Sequence, residues 1–202
     1  MSGGYLRRYT ELPSLIYLLT EKKLTLLDPQ SWDDRNDSHY LTLYRRKLNL
    51  KSVLALCFTT DDETYHHWSV FARGSGGVRI EFKRNEFVAA LKAHPDIRVG
   101  KVKYLKLDER RRKPAPKVKE LPFLKRYAFR HETEFRAIYA SKTEDRKSLD
   151  VPIDPAHIAR ITLCPWIHPV LSDHAANVEG TVLRSDPFYF GHLCTGSGAQ
   201  YP

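Results

Sequence analysis

Apolar residues along the chain fall into short blocks separated by polar and turn-forming stretches. Tyr5 to Tyr9 predicts a short strand, and Thr10 is placed to cap a helix with the apolar face Leu12, Leu15, Ile16 and Leu19, ending near Lys22. Leu24 to Leu27 then predicts a short buried strand stopped by Asp28-Pro29, and the polar stretch 31–37 a loop. Leu41, Leu43, Tyr44 and Leu48 mark a second helix, and the unbroken apolar run Val53 to Phe58 a central strand. Asp61 or Asp62 is expected to cap a third helix bearing Tyr65, Trp68 and Phe71. The segment Arg73-Gly-Ser-Gly-Gly77 reads as a turn into Val78 to Phe82, whose residues alternate strictly.

Further on, Asn85 to Ala93 predicts a helix terminated by His94-Pro95, and Val99, Val102 and Tyr104 a strand. A basic, proline-bearing loop is expected over about 106–120, followed by a helix from Leu121 to Phe129. Strands are predicted at Thr133 to Ala140, Ser148 to Ile153 and Ile158 to Cys164, a short helix at Asp173 to Asn177, and a frayed tail over 195–202. The interleaving, with strand pairs close together late in the chain, favours one α+β domain over 1–194. Its sheet is expected to be mixed or mainly antiparallel with flanking helices, rather than doubly wound.

Composition narrows the class. With 202 residues, 42% of them hydrophobic, the chain has enough apolar mass for one compact domain and too much for global disorder. No apolar run approaches the ~18 residues of a spanning helix. The stretch MSGGYLRRYTEL lacks the apolar core of a signal peptide. These features predict a cytoplasmic protein with no membrane partner. Cys57, Cys164 and Cys194 are widely spaced and form no CxxC, which argues against a disulfide scaffold and a zinc site, so no metal is expected. The formal charge of +9 is concentrated: from Arg98 to Arg130 there are thirteen Lys or Arg against Asp108, Glu109 and Glu120. Such a surface suits an anionic partner such as nucleic acid, and equally serves solubility.

The most informative cluster is His131-Glu-Thr-Glu-Phe-Arg136. In a strand, Glu132, Glu134 and Arg136 project to one face, and Phe135, Ala137 and Tyr139 to the other. Two carboxylates beside a guanidinium can supply a base or an anchor for developing positive charge, or simply an exposed strand face with a cross-paired salt bridge. The glycine-rich turn offers backbone N–H groups to phosphate, flanked by Arg73 and Arg79, but matches neither the P-loop nor the dinucleotide fingerprint and equally serves as a helix stop. Arg8 and Tyr9 stand near the end of the first strand, where a guanidinium can grip a phosphate. Tyr65, His66, His67 and Trp68 combine aromatic faces with imidazoles, and Trp68 is most simply a core residue.

In order, Leu6 to Tyr9, Leu24 to Asp37, Leu56-Cys-Phe-Thr59, Trp68 with Phe71-Ala72, Gly77-Val-Arg-Ile-Glu-Phe82, Val102-Lys-Tyr104 and Glu132-Thr-Glu-Phe-Arg136 resemble the motifs of a bacterial family, domain of unknown function twenty-nine seventy-one. The resemblance covers about residues 5 to 165; the loop Trp32-Asp-Asp-Arg-Asn36 departs from the family's Asn-Asp-Pro. More distantly, the layout is similar to ADP-ribosyltransferases. That likeness implies that Arg8 grips NAD, with Tyr9 and Arg73 further candidates for cofactor contact and Tyr65 or Trp68 covering the nicotinamide. Glu134 or Glu132, with Arg136 beside them, would stabilise an oxocarbenium-like transition state. The expected function is an NAD-consuming transferase or glycohydrolase, a toxin or phage-defence effector acting on nucleic acid or protein. Two alternatives stay open. One is a non-catalytic nucleic-acid-binding module using Arg110, Arg111, Arg112 and Lys113, with Tyr104 and Tyr127 interspersed among the basic residues of that segment. The other is a nuclease holding a divalent metal with Asp33, Asp34, Asp37 and Glu81.

Overall fold

The structure, a computed structural model, describes residues 4–29, 35–72, 74–106 and 114–168. The elements in chain order are β1 (Tyr5–Glu11), α1 (Leu12–Glu21), β2 (Lys23–Leu27), α2 (Arg35–Lys47), β3 (Ser52–Thr59), α3 (Tyr65–Phe71) and β4 (Gly77–Lys83). They continue with α4 (Arg84–Lys92), β5 (Ile97–Lys101), β6 (Lys103–Leu105), β7 (Leu124–Arg126), β8 (Glu134–Ser141), β9 (Ser148–Pro152) and β10 (Ile158–Leu163). Short 3-10 turns occupy Val118–Phe123, Tyr127–Glu132 and Pro155–His157. This is a single α+β domain.

Eight strands form one antiparallel sheet in the order β10-β4-β1-β3-β2-β9, with β8 paired to β3 and β5 to β8. Strand β3 is the hub. Along one edge it pairs with β8 over its whole length, from Ser52 opposite Ser141 to Thr59 opposite Glu134. It also meets β2 at Ala55 and β1 at Thr59. Strands β6 and β7 form a separate two-stranded parallel ribbon.

Both faces of the sheet are covered. On the first, Leu15 and Leu18 of α1 and Phe87 and Leu91 of α4 pack with Leu6, Leu54, Leu56, Ile80, Phe82, Phe135 and Tyr139. On the second, Tyr40, Leu41 and Tyr44 of α2 join Val53, Ala55, Leu121, Leu124 and Ile138. A smaller cluster places Trp68 and Ala72 of the α3 region against Tyr9 and Cys164. Strand periodicity assigns Arg7, Tyr9, Arg79, Glu81, Cys57, Thr59, Glu134 and Arg136 to this second face, across the region between its two apolar clusters.

The coverage changes what alternation means. Val78 to Phe82 alternates in sequence as a strand with one wet face would, yet every residue from Gly77 to Phe82 is buried. Arg79 and Glu81 are therefore inside the protein and need ionic partners, because an unpaired buried charge is strongly unfavourable.

Several local expectations are corrected. The segment 121–129 is not a helix: Pro122, which has no N–H and crowds the preceding turn, lies in a 3-10 turn, and β7 and a second 3-10 turn follow. Helix α1 starts at Leu12 without a Thr10 cap, and its first N–H donates to Gly76 O at 3.0 Å. Thr64, not Asp61 or Asp62, caps α3, its Oγ1 accepting from His67 N at 3.2 Å. Helix α2 already begins at Arg35. The strand expected through Val99, Val102 and Tyr104 is broken at Val102, whose N–H donates to Glu134 O at 2.8 Å. Asp33, Asp34, Arg73, Arg110, Arg111, Arg112, Lys113, the helix expected at 173–177 and the tail 195–202 lie outside the described residues.

Candidate functional site

Strand register places a row of polar residues across the second face. Arg160 of β10 pairs with Glu81 of β4, Glu81 with Arg7 of β1, Arg7 with Thr59 of β3, and Thr59 with Glu134 of β8. Paired residues of antiparallel strands point the same way, so an arginine, a threonine and a glutamate from three consecutive strands share one face. Arg8, one residue on, belongs to the opposite face with Leu6, opposite Ile80; it is half-buried and donates to Cys57 O at 3.3 Å. Burial lowers its pKa, with the Cys57 thiol acting in the other sense.

At the Glu134 end, four ionisable groups form a compact buried cluster. Arg136 donates Nε to Glu134 Oε1 at 2.6 Å and Nη2 to Oε2 at 2.8 Å, and its Nη1 donates to Pro122 O at 3.0 Å. Lys125 Nζ lies 2.6 Å from Glu132 Oε2 and 3.5 Å from Glu134 Oε2. Two cations balance two carboxylates. Burial alone pushes the Glu134 carboxyl up; the adjacent Arg136 and Lys125 outweigh it, and the net pKa is lowered. Glu134 is held as a carboxylate.

Glu132 reaches the cluster by a different route from the one a continuous strand provides. It ends the 3-10 turn, and Thr133 adopts φ 42°, a left-handed conformation that redirects the chain into β8. Thr133 Oγ1 meets Thr59 Oγ1 at 2.9 Å, and Thr60 N donates to Thr133 O at 3.2 Å, fixing this corner to the end of β3. Glu134 N donates to the Tyr104 hydroxyl at 2.8 Å; burial pushes that phenol up to about 12.

His67 anchors the corner from α3. Its Nε2 lies 3.2 Å from Glu132 O, which only accepts, so Nε2 carries the hydrogen. Nδ1 then accepts from the Thr64 hydroxyl at 2.6 Å. The ring stacks on Tyr9 with centroids 5.3 Å apart, and burial lowers its pKa, favouring the neutral form.

The other end of the row is a second ion-pair network. Glu81 Oε1 accepts from Arg7 Nε at 3.1 Å and faces Arg79 Nη2 at 3.3 Å, while Arg79 Nη1 pairs with Glu63. Arg7 also donates Nη1 to Asp61 O and Nη2 to Asp62 Oδ1, both at 2.8 Å. The Asp62 side chain is 94% exposed and that of Arg7 12%, so the Asp61–Asp62 segment caps this end of the network at the surface.

The remaining expected residues separate. Trp68 is buried, edge-on to Tyr9, with its indole N–H on Glu63 at 2.7 Å: a core residue with no free face for a nicotinamide. Tyr65 is 74% exposed and edge-on to Trp166. Tyr9 is on the row's face with its ring packed under His67 and Trp68. The glycine-rich turn is explained by packing: a Cβ on Gly77 would lie 2.5 Å from Ala72 Cβ, and Gly77 N donates to Gly74 O at 3.2 Å. Glu81, the described member of the nuclease set with known contacts, is engaged by arginines. Among the described residues no group of three His, Cys, Asp or Glu is placed to hold a metal ion. Among them also, no helix is long and apolar enough to cross a membrane. An open cleft of about 430 Å³ is lined by Glu21, Lys22, Lys23 and 152–155, none of them in the polar row.

Lys125, Thr59 and Arg7 join the site without having been given a role from the sequence, and His67 and Tyr104, noted there for their rings, enter it as anchors of the backbone around Glu134. Pro122 was the available signal that Lys125 is not helical. No family model, curated protein or solved structure matches the chain.

Proposed function

We propose that the protein is an NAD-consuming enzyme of the ADP-ribosyltransferase kind, cleaving the nicotinamide–ribose bond and passing the ADP-ribosyl group to water, a nucleic acid or a protein. The observation that carries this reading is the register Arg7–Thr59–Glu134 across three consecutive strands of one face. It aligns a cation for the diphosphate with a buried hydroxyl already bonded to Thr133 and Asp61 N and a buried carboxylate held ionised by Arg136 and Lys125, so in this reading NAD must open these inner contacts to reach Glu134.

In this reading Arg7 replaces Arg8 as the residue that meets the diphosphate. Its Nη groups contact the solvent-facing Asp61–Asp62 segment, contacts that an anionic ligand can displace. Glu134 supplies negative charge as positive charge builds on the ribose. Glu132, Lys125 and Arg136 fix its position and its charge, and His67 and Tyr104 hold the backbone on either side. The likeness of the sequence's layout to the transferases supports this reading, with the reaction in the cytoplasm as a toxin or defence effector, whereas the likeness to the bacterial family names no reaction.

The test is nicotinamide release from NAD by the purified protein, with and without RNA, DNA and protein acceptors. Release that Glu134→Gln abolishes and Glu132→Gln only reduces supports the proposal. Release that survives both substitutions, or its absence with every acceptor, overturns it.

A further inference from the structure

The parallel ribbon carries an aromatic–cationic ledge on the outside of the protein. Tyr127, directly after β7, is 38% exposed. Lys106 Nζ lies 4.7 Å from the centre of its ring, and Arg130 Cζ also 4.7 Å. Pairing of Leu105 with Arg126 brings residue 106 beside residue 127, and the 3-10 turn 127–132 brings Arg130 back over the same ring. Lys101 and Lys103 are exposed on the approach, Lys103 with Glu120 at 3.9 Å. Among the described residues, Lys106, Arg126 and Arg130 have no carboxylate within ion-pair distance. Among the described residues, Lys106 and Arg130 thus meet the exposed ring rather than a carboxylate, and the ring contributes to neither apolar cluster of the second face.

We infer that this ledge binds single-stranded nucleic acid, with a base stacked on the Tyr127–Arg130 pair and flanking phosphates held by Lys106, Arg126 and Lys103. The chemistry selects this partner over others. An aromatic face and a planar guanidinium both present stacking surfaces that unpaired bases can use, whereas a duplex hides its base faces and an acidic protein has none. The flanking cations add a salt-sensitive phosphate contribution. The inference is independent of the NAD reading, because it concerns binding alone.

The test is fluorescence anisotropy of the full chain with a labelled short oligothymidylate, without NAD, across a salt series. The expected result is single-strand binding that weakens about tenfold in Tyr127→Ala and stays close to wild type in Tyr127→Phe, which keeps the ring. Arg130→Glu should weaken binding further and flatten the salt dependence. Duplex of matching sequence should bind more weakly and be indifferent to Tyr127→Ala. Equal binding by wild type and Tyr127→Ala, equal affinity for duplex and single strand, or preference for an acidic polypeptide would each overturn the inference. Loss of nicotinamide release with binding intact would count against the NAD proposal only.

Discussion

Arg136 grips both carboxylate oxygens of Glu134, two residues earlier on the same strand face, through Nε at 2.6 Å and Nη2 at 2.8 Å. Both side chains are buried, Arg136 completely. The geometry is the planar fork that suits a carboxylate, and it is shared with Lys125, which bridges Glu134 and Glu132. Each member is tolerable inside the sheet because the others are there.

Removing one partner should therefore be far more harmful than removing the pair. Arg136→Ala leaves Glu134 with Lys125 as its remaining cationic partner and is expected to destabilise the protein by about 3 to 5 kcal/mol. Arg136→Lys should also destabilise, since an ammonium cannot make the fork. The double replacement Glu134→Gln with Arg136→Met should cost less than the sum of the singles. Urea unfolding of wild type, Glu134→Gln, Arg136→Met and the double variant measures the coupling.

The site should also give stability two separate acid limbs. His67 has a lowered pKa in the folded protein, from burial first, so its contribution is present above the ordinary value of 6.5 and is lost as pH falls from there toward the folded value. Glu134, lowered on balance by Arg136 and Lys125 against its own burial, contributes above its ordinary 4.5, and that contribution is lost at lower pH, through the folded value. Thermal melts between neutral and acid pH should show that His67→Gln flattens the upper limb alone. Glu134→Gln should flatten the lower one.

The row from Arg7 to Glu134 was only half legible in the sequence. Val53 to Phe58 predicted a strand correctly because burial on both faces leaves an unbroken apolar run, and Leu24 to Leu27 did so from one face alone, Leu24 and Leu26 being buried while Leu27 is half exposed. The shared face of Glu134 and Arg136 followed from period two. The choice between Arg7 and Arg8 did not, since shifting a strand by one residue reverses its faces and only the pairing of Arg7 with Thr59 decides it. The place of Lys125 and the anchoring contact of His67 were not legible for a related reason: their partners are 7 and 65 residues away, on segments whose contact depends on the turn at Thr133. The segment 121–129 misled because its apolar spacing suits a helix that Pro122 prevents.

The glycines after α3 should differ sharply in their tolerance of alanine. At Gly77 a Cβ meets Ala72 Cβ at 2.5 Å and Ala72 O at 2.7 Å, and backbone must move to admit it. Gly77→Ala should destabilise by about 1 to 3 kcal/mol. At Gly76 nothing lies within 4 Å, and Gly76→Ala should be close to neutral. Gly74 has open space but φ 93°, so Gly74→Ala should fall between the two. Melting temperatures of the three variants check the order, and equal tolerance would mean that Gly77 is not kept by close packing.

Titration calorimetry of NAD into the wild-type protein, Arg7→Gln and Glu134→Gln decides whether the face shared by Arg7, Thr59 and Glu134 receives NAD. Wild type should bind saturably, Arg7→Gln at least about tenfold more weakly through loss of a charge-assisted contact to the diphosphate, and Glu134→Gln with near-normal affinity. Absence of saturable binding by the folded wild-type protein, or full affinity in Arg7→Gln, would contradict NAD binding at this face.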